Sequence, residues 1–298
     1  MISTQVSLFR AGLIGKGIQA SLTPAMHMTE GQAQGLDYRY ELFDLEEIDG
    51  GAERLVSLVA DAEAAGFGGL NITHPCKQQV IEYLDDLSKE AATLGAVNTV
   101  VLRDGRRLGH NTDWWGFAES FRRGLPGADL SSVVQLGAGG AGAATAYAIL
   151  RTGAAALTIF DQDESRASVL VETMQQNFRG AAVTAGTDLA AAMATASGLI
   201  HATPTGMASY PGLPLPADLL TSSLWVAEIV YFPLNTQLLR EAGRRGCRIL
   251  NGGGMAVFQA VKAFGLFTGI EPDAERMVRH FSKLTRAAAP PLLAAGGA

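Results

Sequence analysis

Ser132-Val133-Val134-Gln135-Leu136-Gly137-Ala138-Gly139-Gly140-Ala141-Gly142-Ala143-Ala144 is the stretch that decides the fold. Ser132 to Leu136 is a short β-branched run that reads as a strand, and Gly139 to Arg151 reads as the alanine-rich helix behind it. Between them Gly137, Gly139 and Gly142 match GxGxxG, with Ala138, Gly140 and Ala141 filling the loop. The first glycine permits a tight turn, the second lets backbone approach a pyrophosphate, and the third lets the helix pack closely on the sheet. The helix start offers unpaired N–H groups and a partial positive charge to phosphates. A tight turn without a ligand is the competing reading; the motif gains weight from its place between a strand and a helix.

Leu157 to Phe160 reads as the next strand, ending at Asp161 about twenty residues beyond the loop, where an acid bonds ribose hydroxyls. Asp161 and Asp163 oppose a 2′-phosphate, and Arg166, one helical turn further on, is the single basic residue nearby. Two acids against one displaced arginine favour NAD over NADP.

Upstream, Leu8 to Ile14 reads as a strand, Thr23-Pro24 as a hydroxyl N-cap and first helical residue, and Gly35 as the close of that helix near Gln34. Tyr38 to Leu45 and Gly69 to Thr73 read as strands, Arg54 to Ala65 as a helix, and Lys77 to Leu87 as an amphipathic segment. Val97 to Leu102 and Arg107 to Asn111 flank Asp104-Gly105, a hairpin signal. Downstream, Trp115 to Leu125 reads as a connecting helix, and strands follow at Ile200, Trp225 to Val230 and Arg248 to Leu250. The helix Met255 to Thr268 then returns to the first unit, and the tail from Ala287 is expected to be disordered. The βα logic opens twice. The expectation is a two-domain α/β protein: an open, mostly parallel substrate domain from 1–114 plus 253–298, and a Rossmann dinucleotide-binding domain from 115–252.

Composition agrees. The 298 residues, 48% hydrophobic and 17% charged with 35 glycines, fit a soluble α/β protein. A net charge of −6 without a basic stripe argues against nucleic acid. Cys76 and Cys247 lie far apart with no metal-ligand spacing, so both read as thiols and no metal is expected. Met1-Ile2-Ser3-Thr4-Gln5 lacks a signal peptide's basic and apolar regions, and no apolar run is long enough for a membrane span. A cytoplasmic location is expected, and a homodimer is left open.

Three polar segments precede the glycine loop: Asn71-Ile72-Thr73-His74-Pro75-Cys76-Lys77, Gly95-Ala96-Val97-Asn98-Thr99 and His110-Asn111-Thr112-Asp113. Each follows or joins an apolar run, where strand ends open onto a cleft. They combine an amine and a carboxylate with amides and hydroxyls, which supply the paired donors and acceptors a polyol needs. A polyol site beside a dinucleotide site points to alcohol oxidation by hydride transfer. Lys77 is the candidate proton acceptor and donor. A carboxylate beside an amine favours its charged form and desolvation favours its neutral form, so Asp113 is assigned as a partner sharing the proton load. The bland readings are a solvated lysine at a helix start, an aspartate capping the helix at Trp114, and turn-forming Asn98 and Thr99. His27 and His74 read as packing or hydrogen-bonding residues.

These segments, with Gly12-Leu13-Ile14-Gly15, Ser21-Leu22-Thr23-Pro24-Ala25-Met26-His27, Ala202-Thr203-Pro204-Thr205-Gly206-Met207, Val230-Tyr231-Phe232-Pro233 and the Gln259 helix, resemble the shikimate dehydrogenase family in order over nearly the whole chain. Within it the chain looks most similar to the NAD-dependent quinate/shikimate dehydrogenases, because of Thr23 and because Asp161 replaces an Asn-Arg-Thr phosphate clamp. The resemblance implies that Ser21 and Thr23 bind the substrate carboxylate. It further implies that Thr73, Lys77, Asn98, Asp113 and Gln259 contact the ring, and that Tyr231 lies near the carboxylate or nicotinamide. It assigns Thr203, Pro204 and Met207 to the cofactor, with Met207 and Met255 walling the nicotinamide; core packing is the alternative for the methionines.

The chain departs from the family's pattern at His201, usually asparagine, at Glu228, usually aspartate, and at Gly253, usually bulkier. The implied reaction is reversible oxidation of shikimate or quinate to the 3-dehydro forms with NAD. The rivals are an enzyme of the same type acting on an amino or otherwise altered cyclitol, and a quinate-type ligand sensor without turnover.

Overall fold

The computed structural model describes residues 7–288. The leaderless start expected at Met1–Gln5 lies outside them. So does the tail expected from Ala287 onward, except that the last helix runs through Ala288.

The first half supplies β1 (Leu8–Gly15), α1 (Thr23–Ala33), β2 (Asp37–Asp44), α2 (Leu55–Ala64), β3 (Gly69–Ile72), β4 (Asp86–Leu87), α3 (Lys89–Leu94), β5 (Thr99–Arg103) and β6 (Arg106–His110). Their six strands form one sheet in the order β2-β1-β3-β5-β6-β4. β1 is parallel to β2 and β3, while β5 runs antiparallel to both β3 and β6. Asp104 (φ 54°) and Gly105 (φ 68°) make the turn between β5 and β6, as the hairpin signal predicts. Reversal at β5 has a functional result. β1 and β3 end where β5 begins and β6 ends, so Gly15, Ile72, Thr99 and His110 meet on one edge.

Two local readings change. Leu22 caps α1, so Thr23 is its first residue and Pro24 its second; the Thr23 N–H instead donates to the Ser21 hydroxyl at 3.3 Å. The Lys77–Leu87 segment is not an α-helix but a single 3-10 turn, Gln79–Tyr83, leading into β4. Its ends are drawn out by neighbours. Val97 N–H donates to the Lys77 carbonyl at 2.8 Å and Asp85 N–H to the Arg107 carbonyl at 2.9 Å.

The second half continues with α4 (Asp113–Gly124), β7 (Val133–Leu136), α5 (Gly140–Thr152), β8 (Ala156–Phe160), α6 (Glu164–Asn177), β9 (Ala182–Ala185), α7 (Leu189–Ala194), β10 (Gly198–His201), β11 (Trp225–Glu228), α8 (Gln237–Arg244) and β12 (Arg248–Leu250). All six strands are parallel, in the order β12-β11-β10-β7-β8-β9. This is the doubly wound Rossmann order, whose strand sequence reverses between β7 and β10, and ligands bind at that crevice beyond the strands' carboxyl ends.

Two more helices, α9 (Gly253–Thr268) and α10 (Ala274–Ala288), follow. α9 lays buried Phe264 and Phe267 against Tyr38, Tyr40 and Leu13 of the first sheet. Truncating either phenylalanine to alanine costs about 3–5 kcal/mol. α10 is held to α1 by Glu30, fully buried, which accepts two bonds from the Arg276 guanidinium at 2.7 Å each and one from Asp273 N–H at 2.9 Å. Burial alone would raise the Glu30 carboxyl; Arg276 and the Asp273 N–H more than offset it and hold it below its ordinary value. No helix among the described residues is long and apolar enough to cross a membrane.

Candidate active site

Lys77 and Asp113, 36 residues apart, meet at the edge where β1, β3, β5 and β6 converge: Lys77 Nζ lies 2.6 Å from Asp113 Oδ2. The lysine side chain is 26% exposed and the aspartate 6%, so the amine faces the opening while its partner lies behind it. Asp113 is the first residue of α4, and its own N–H donates to Asn111 Oδ1 at 3.1 Å. It is therefore not the N-cap that its bland reading proposes; Thr112 holds that position. A carboxylate in the first helical turn is also favoured by the helix dipole.

Asn98 fixes the other half of the carboxylate. Its amide donates to Asp113 Oδ1 at 2.8 Å and to Thr112 Oγ1 at 3.0 Å, and its carbonyl oxygen accepts from Thr112 N–H at 2.7 Å. The same amide lies 3.4 Å from Gln259 Oε1 on α9. Behind it, Thr99 donates to Asn98 Oδ1, Asn71 donates to Thr99, and the Tyr40 hydroxyl donates to Asn71 Oδ1 at 2.8 Å. Such a buried chain, with each group partnered, gives Asp113 one orientation. Lys77, Asn98, Asp113 and Gln259 thus form one cluster, and the Asn98 and Thr99 side chains bond within it rather than only shaping a turn.

Thr73 follows β3 directly, its N–H bonded to the Ile14 carbonyl at 2.9 Å, and Lys16 N–H bonds the His74 carbonyl at 2.9 Å. These contacts lay the loop carrying Ser21 and Thr23 beside the segment carrying Lys77. That loop is fixed by a residue with no sequence signal. Asp44, 4% exposed at the end of β2, accepts from Gly17 N–H at 2.8 Å and Ile18 N–H at 2.9 Å. Burial alone would raise its carboxyl, but the Glu46 N–H at 3.1 Å, with those of Gly17 and Ile18, holds it below the ordinary range. Tyr231 approaches from the loop after β11. Its ring is 43% exposed, yet desolvation around the hydroxyl raises the phenol and the Asp113 charge adds to this, which puts Tyr231 within electrostatic reach of the pair. His27 is a core residue. It is fully buried among Tyr38, Tyr40, Phe264 and Phe267, with Nδ1 3.0 Å from the Tyr38 hydroxyl and Nε2 unpartnered.

On the second sheet, Gly137 (φ +104°) turns the chain as glycine can, and a Cβ at Gly142 would lie 2.2 Å from the Gly137 carbonyl oxygen. A Cβ at Gly139 or Gly140, by contrast, would meet nothing within 4 Å. The loop is therefore tight where it packs and open at the start of α5, where phosphate oxygens need room and N–H donors. Gln135, beneath it, donates to the Gly137 and Gly142 carbonyls at 2.9 and 2.8 Å. Asp161 accepts from Ala138 N–H at 2.7 Å and Asp163 N–H at 3.0 Å, which leaves lone pairs on both oxygens. Arg166 is drawn to Asp163 at 3.3 Å. Thr203 abuts the glycine turn: a Cβ at Gly137 would lie 3.1 Å from its methyl. Pro204 is exposed. Met207 is 40% exposed beside a cavity of about 280 Å³ that Phe232 and Pro233 also line. Met255 packs, half-buried, toward the core that includes Phe117 and Phe121.

A Rossmann sheet with an open glycine loop, joined to a mixed sheet whose edge gathers an amine, a carboxylate and amides, defines a dinucleotide-binding α/β protein with a polar cleft. The model of the shikimate dehydrogenase substrate binding domain matches residues 13–100. A shikimate dehydrogenase (NADP(+)) of Streptomyces avermitilis is 55% identical over 94% of this chain and 97% of its own length. A quinate/shikimate dehydrogenase (NAD(+)) of Corynebacterium efficiens is 47% identical over 92% and 97%. The quinate dehydrogenase of Corynebacterium glutamicum, solved in complex with NAD, superposes with a TM-score of 0.89 at 44% identity, covering 93% of this chain and 99% of that one. The chain belongs to the shikimate dehydrogenase family.

Proposed function

We propose that this chain catalyses reversible oxidation of a ring hydroxyl of shikimate or quinate to the 3-dehydro form, with NAD preferred to NADP. The observation that carries the proposal is the 2.6 Å contact between Lys77 Nζ and Asp113 Oδ2, locked from behind by Asn98. Residues 1–114 plus 253–298 form the substrate-binding part in this reading, and 115–252 the dinucleotide-binding part.

A nicotinamide dinucleotide, held by the loop Gly137–Gly142 with Asp161, Arg166, Thr203, Pro204, Met207 and Met255 around it, supplies the two-electron chemistry when bound. Lys77 takes the alcohol proton at Nζ in one direction and returns it in the other. Asp113 holds the amine in line and shares the proton. Ser21 and Thr23 donate hydroxyl bonds to the ring carboxylate; Thr73, Asn98 and Gln259 contact the ring and its hydroxyls, and Tyr231 lies near the carboxylate or the nicotinamide. Closure of the cleft removes water and strengthens each of these contacts.

The preference for NAD rests on Asp161 and Asp163 facing the ribose end while Arg166 is engaged by Asp163 at 3.3 Å. The relative at 55% identity carries the NADP name and that at 47% the NAD name, so identity alone favours neither. Reduction of NAD and NADP, followed spectrophotometrically with quinate, shikimate and aminoshikimate, is the test. Faster turnover of aminoshikimate than of either carboxylate polyol would replace the substrate, and tight quinate binding without turnover would replace the reaction.

A further inference from the structure

His201 and Glu228 touch each other. His201 ends β10 and Glu228 ends the adjacent β11, in register with it. His201 is fully buried and Glu228 is 2% exposed. His201 Nδ1 lies 2.9 and 3.0 Å from the two Glu228 oxygens, and its Nε2 lies 2.5 Å from Thr203 Oγ1. Glu228 also accepts from Val230 N–H at 3.0 Å and from the buried Thr236 hydroxyl at 3.1 Å.

The direction of these bonds follows from what each group is able to give. An ionised carboxylate only accepts, so Nδ1 carries the ring proton. With the ring carrying that one proton, Nε2 is an acceptor, and the Thr203 hydroxyl gives its only hydrogen to it. Thr205 N–H adds a bond to the Thr203 oxygen at 3.3 Å. What remains on Thr203, half-buried beside the Gly137 turn, is a lone pair.

We infer that His201 and Glu228 are positioning residues which lock Thr203 as a pure hydrogen-bond acceptor toward an N–H or O–H donor of the nicotinamide nucleoside. The inference rests on the dinucleotide site proposed above. The donor is either the carboxamide NH₂ or a ribose hydroxyl. Glu228 at the same time ties down two neighbouring loops, 202–207 through His201 and 229–236 through Val230 and Thr236.

The test compares His201→Asn, Thr203→Val and the double variant, each checked for native melting behaviour. Asparagine keeps a donor near the Nδ1 position for Glu228 but has no atom at Nε2. The reading is equilibrium binding of NADH and of reduced 3-acetylpyridine adenine dinucleotide, which lacks the NH₂, by ligand fluorescence. Each single variant is expected to weaken NADH binding roughly five- to tenfold, the value of one hydrogen bond, and the double variant no further, because His201 acts through Thr203. If the carboxamide is the donor, wild type prefers NADH and both variants lose that preference. If a ribose hydroxyl is the donor, both ligands weaken together and the ratio holds. Unchanged binding in folded His201→Asn, or losses that add in the double variant, would overturn the inference. Because binding alone is read, absence of cyclitol turnover would defeat the proposed reaction and leave this result standing.

Discussion

Asp113 presents one carboxylate oxygen to Lys77 Nζ at 2.6 Å and gives the other to the Asn98 amide at 2.8 Å. The acid is thus oriented by a buried neighbour and cannot swing away from the amine. The arrangement makes a clear demand on Lys77→Ala. Under the proposed proton-transfer role of Lys77, kcat is expected to fall by about 10²- to 10⁴-fold at every pH, with a smaller change in substrate KM. Near-normal turnover across the pH range would sink the proton-transfer role.

Cofactor choice is expected to respond to Asp161. In the proposed site Asp161, bonded to the Asp163 N–H at 3.0 Å, is the acid for the ribose end, and an NADP phosphate there would meet two like charges. Asp161→Ser keeps an acceptor for Ala138 N–H and removes the charge. The ratio of kcat/KM for NAD over NADP should drop roughly tenfold, equivalent to about 1.4 kcal/mol. An unchanged ratio would show that discrimination lies elsewhere on the loop.

Acid should unfold the protein through His27. Burial holds this imidazole down at about 3, against 6.5 for a free histidine. The unfolded chain therefore binds a proton that the folded one refuses. Stability is full above pH 6.5 and is lost as the pH falls toward 3, by up to roughly 5 kcal/mol at about 1.4 kcal/mol per pH unit. Urea melts between pH 7 and 4 will show the slope, and His27→Leu should flatten it even if its stability at pH 7 is lower. An equally steep acid limb in that variant would acquit His27.

Glu30 and Arg276 carry the attachment of α10. Arg276→Met leaves a fully buried carboxylate without its guanidinium and should destabilise by about 3 kcal/mol. Adding Glu30→Gln removes the stranded charge and should recover part of the loss. Denaturant midpoints measure both; a double variant no more stable than Arg276→Met alone would contradict the account.

Much of this architecture was legible because its causes are local. The strand–glycine–helix run at 132–151 imposes its turn within a few residues, and Asp104-Gly105 sets its hairpin by the same means. Lys77, Asp113 and Asn98 stood out as polar groups at the ends of apolar runs, and Gln259 only through its resemblance to a known pattern. The segment after Lys77 misled because Val80 and its apolar neighbours repeat at helical spacing, while backbone bonds from Val97 and to Arg107 pull both ends straight. Asp44 gave no signal at all. Its work is to accept two N–H groups about 27 residues upstream, and nothing in its own neighbourhood records that.

By itself, then, the order of residues determined the two α/β units, the phosphate loop and the residue types of the cleft, since hydrophobic period and turn chemistry act over one or two turns of chain. Which of those residues touch was decided by the tertiary structure. The antiparallel β5 brings Asn98 to Asp113, and the parallel register of β10 with β11 sets His201 against Glu228. Hydrogen bonds between strands far apart in sequence exist only once the sheet has chosen its order and register, and no local preference specifies that choice.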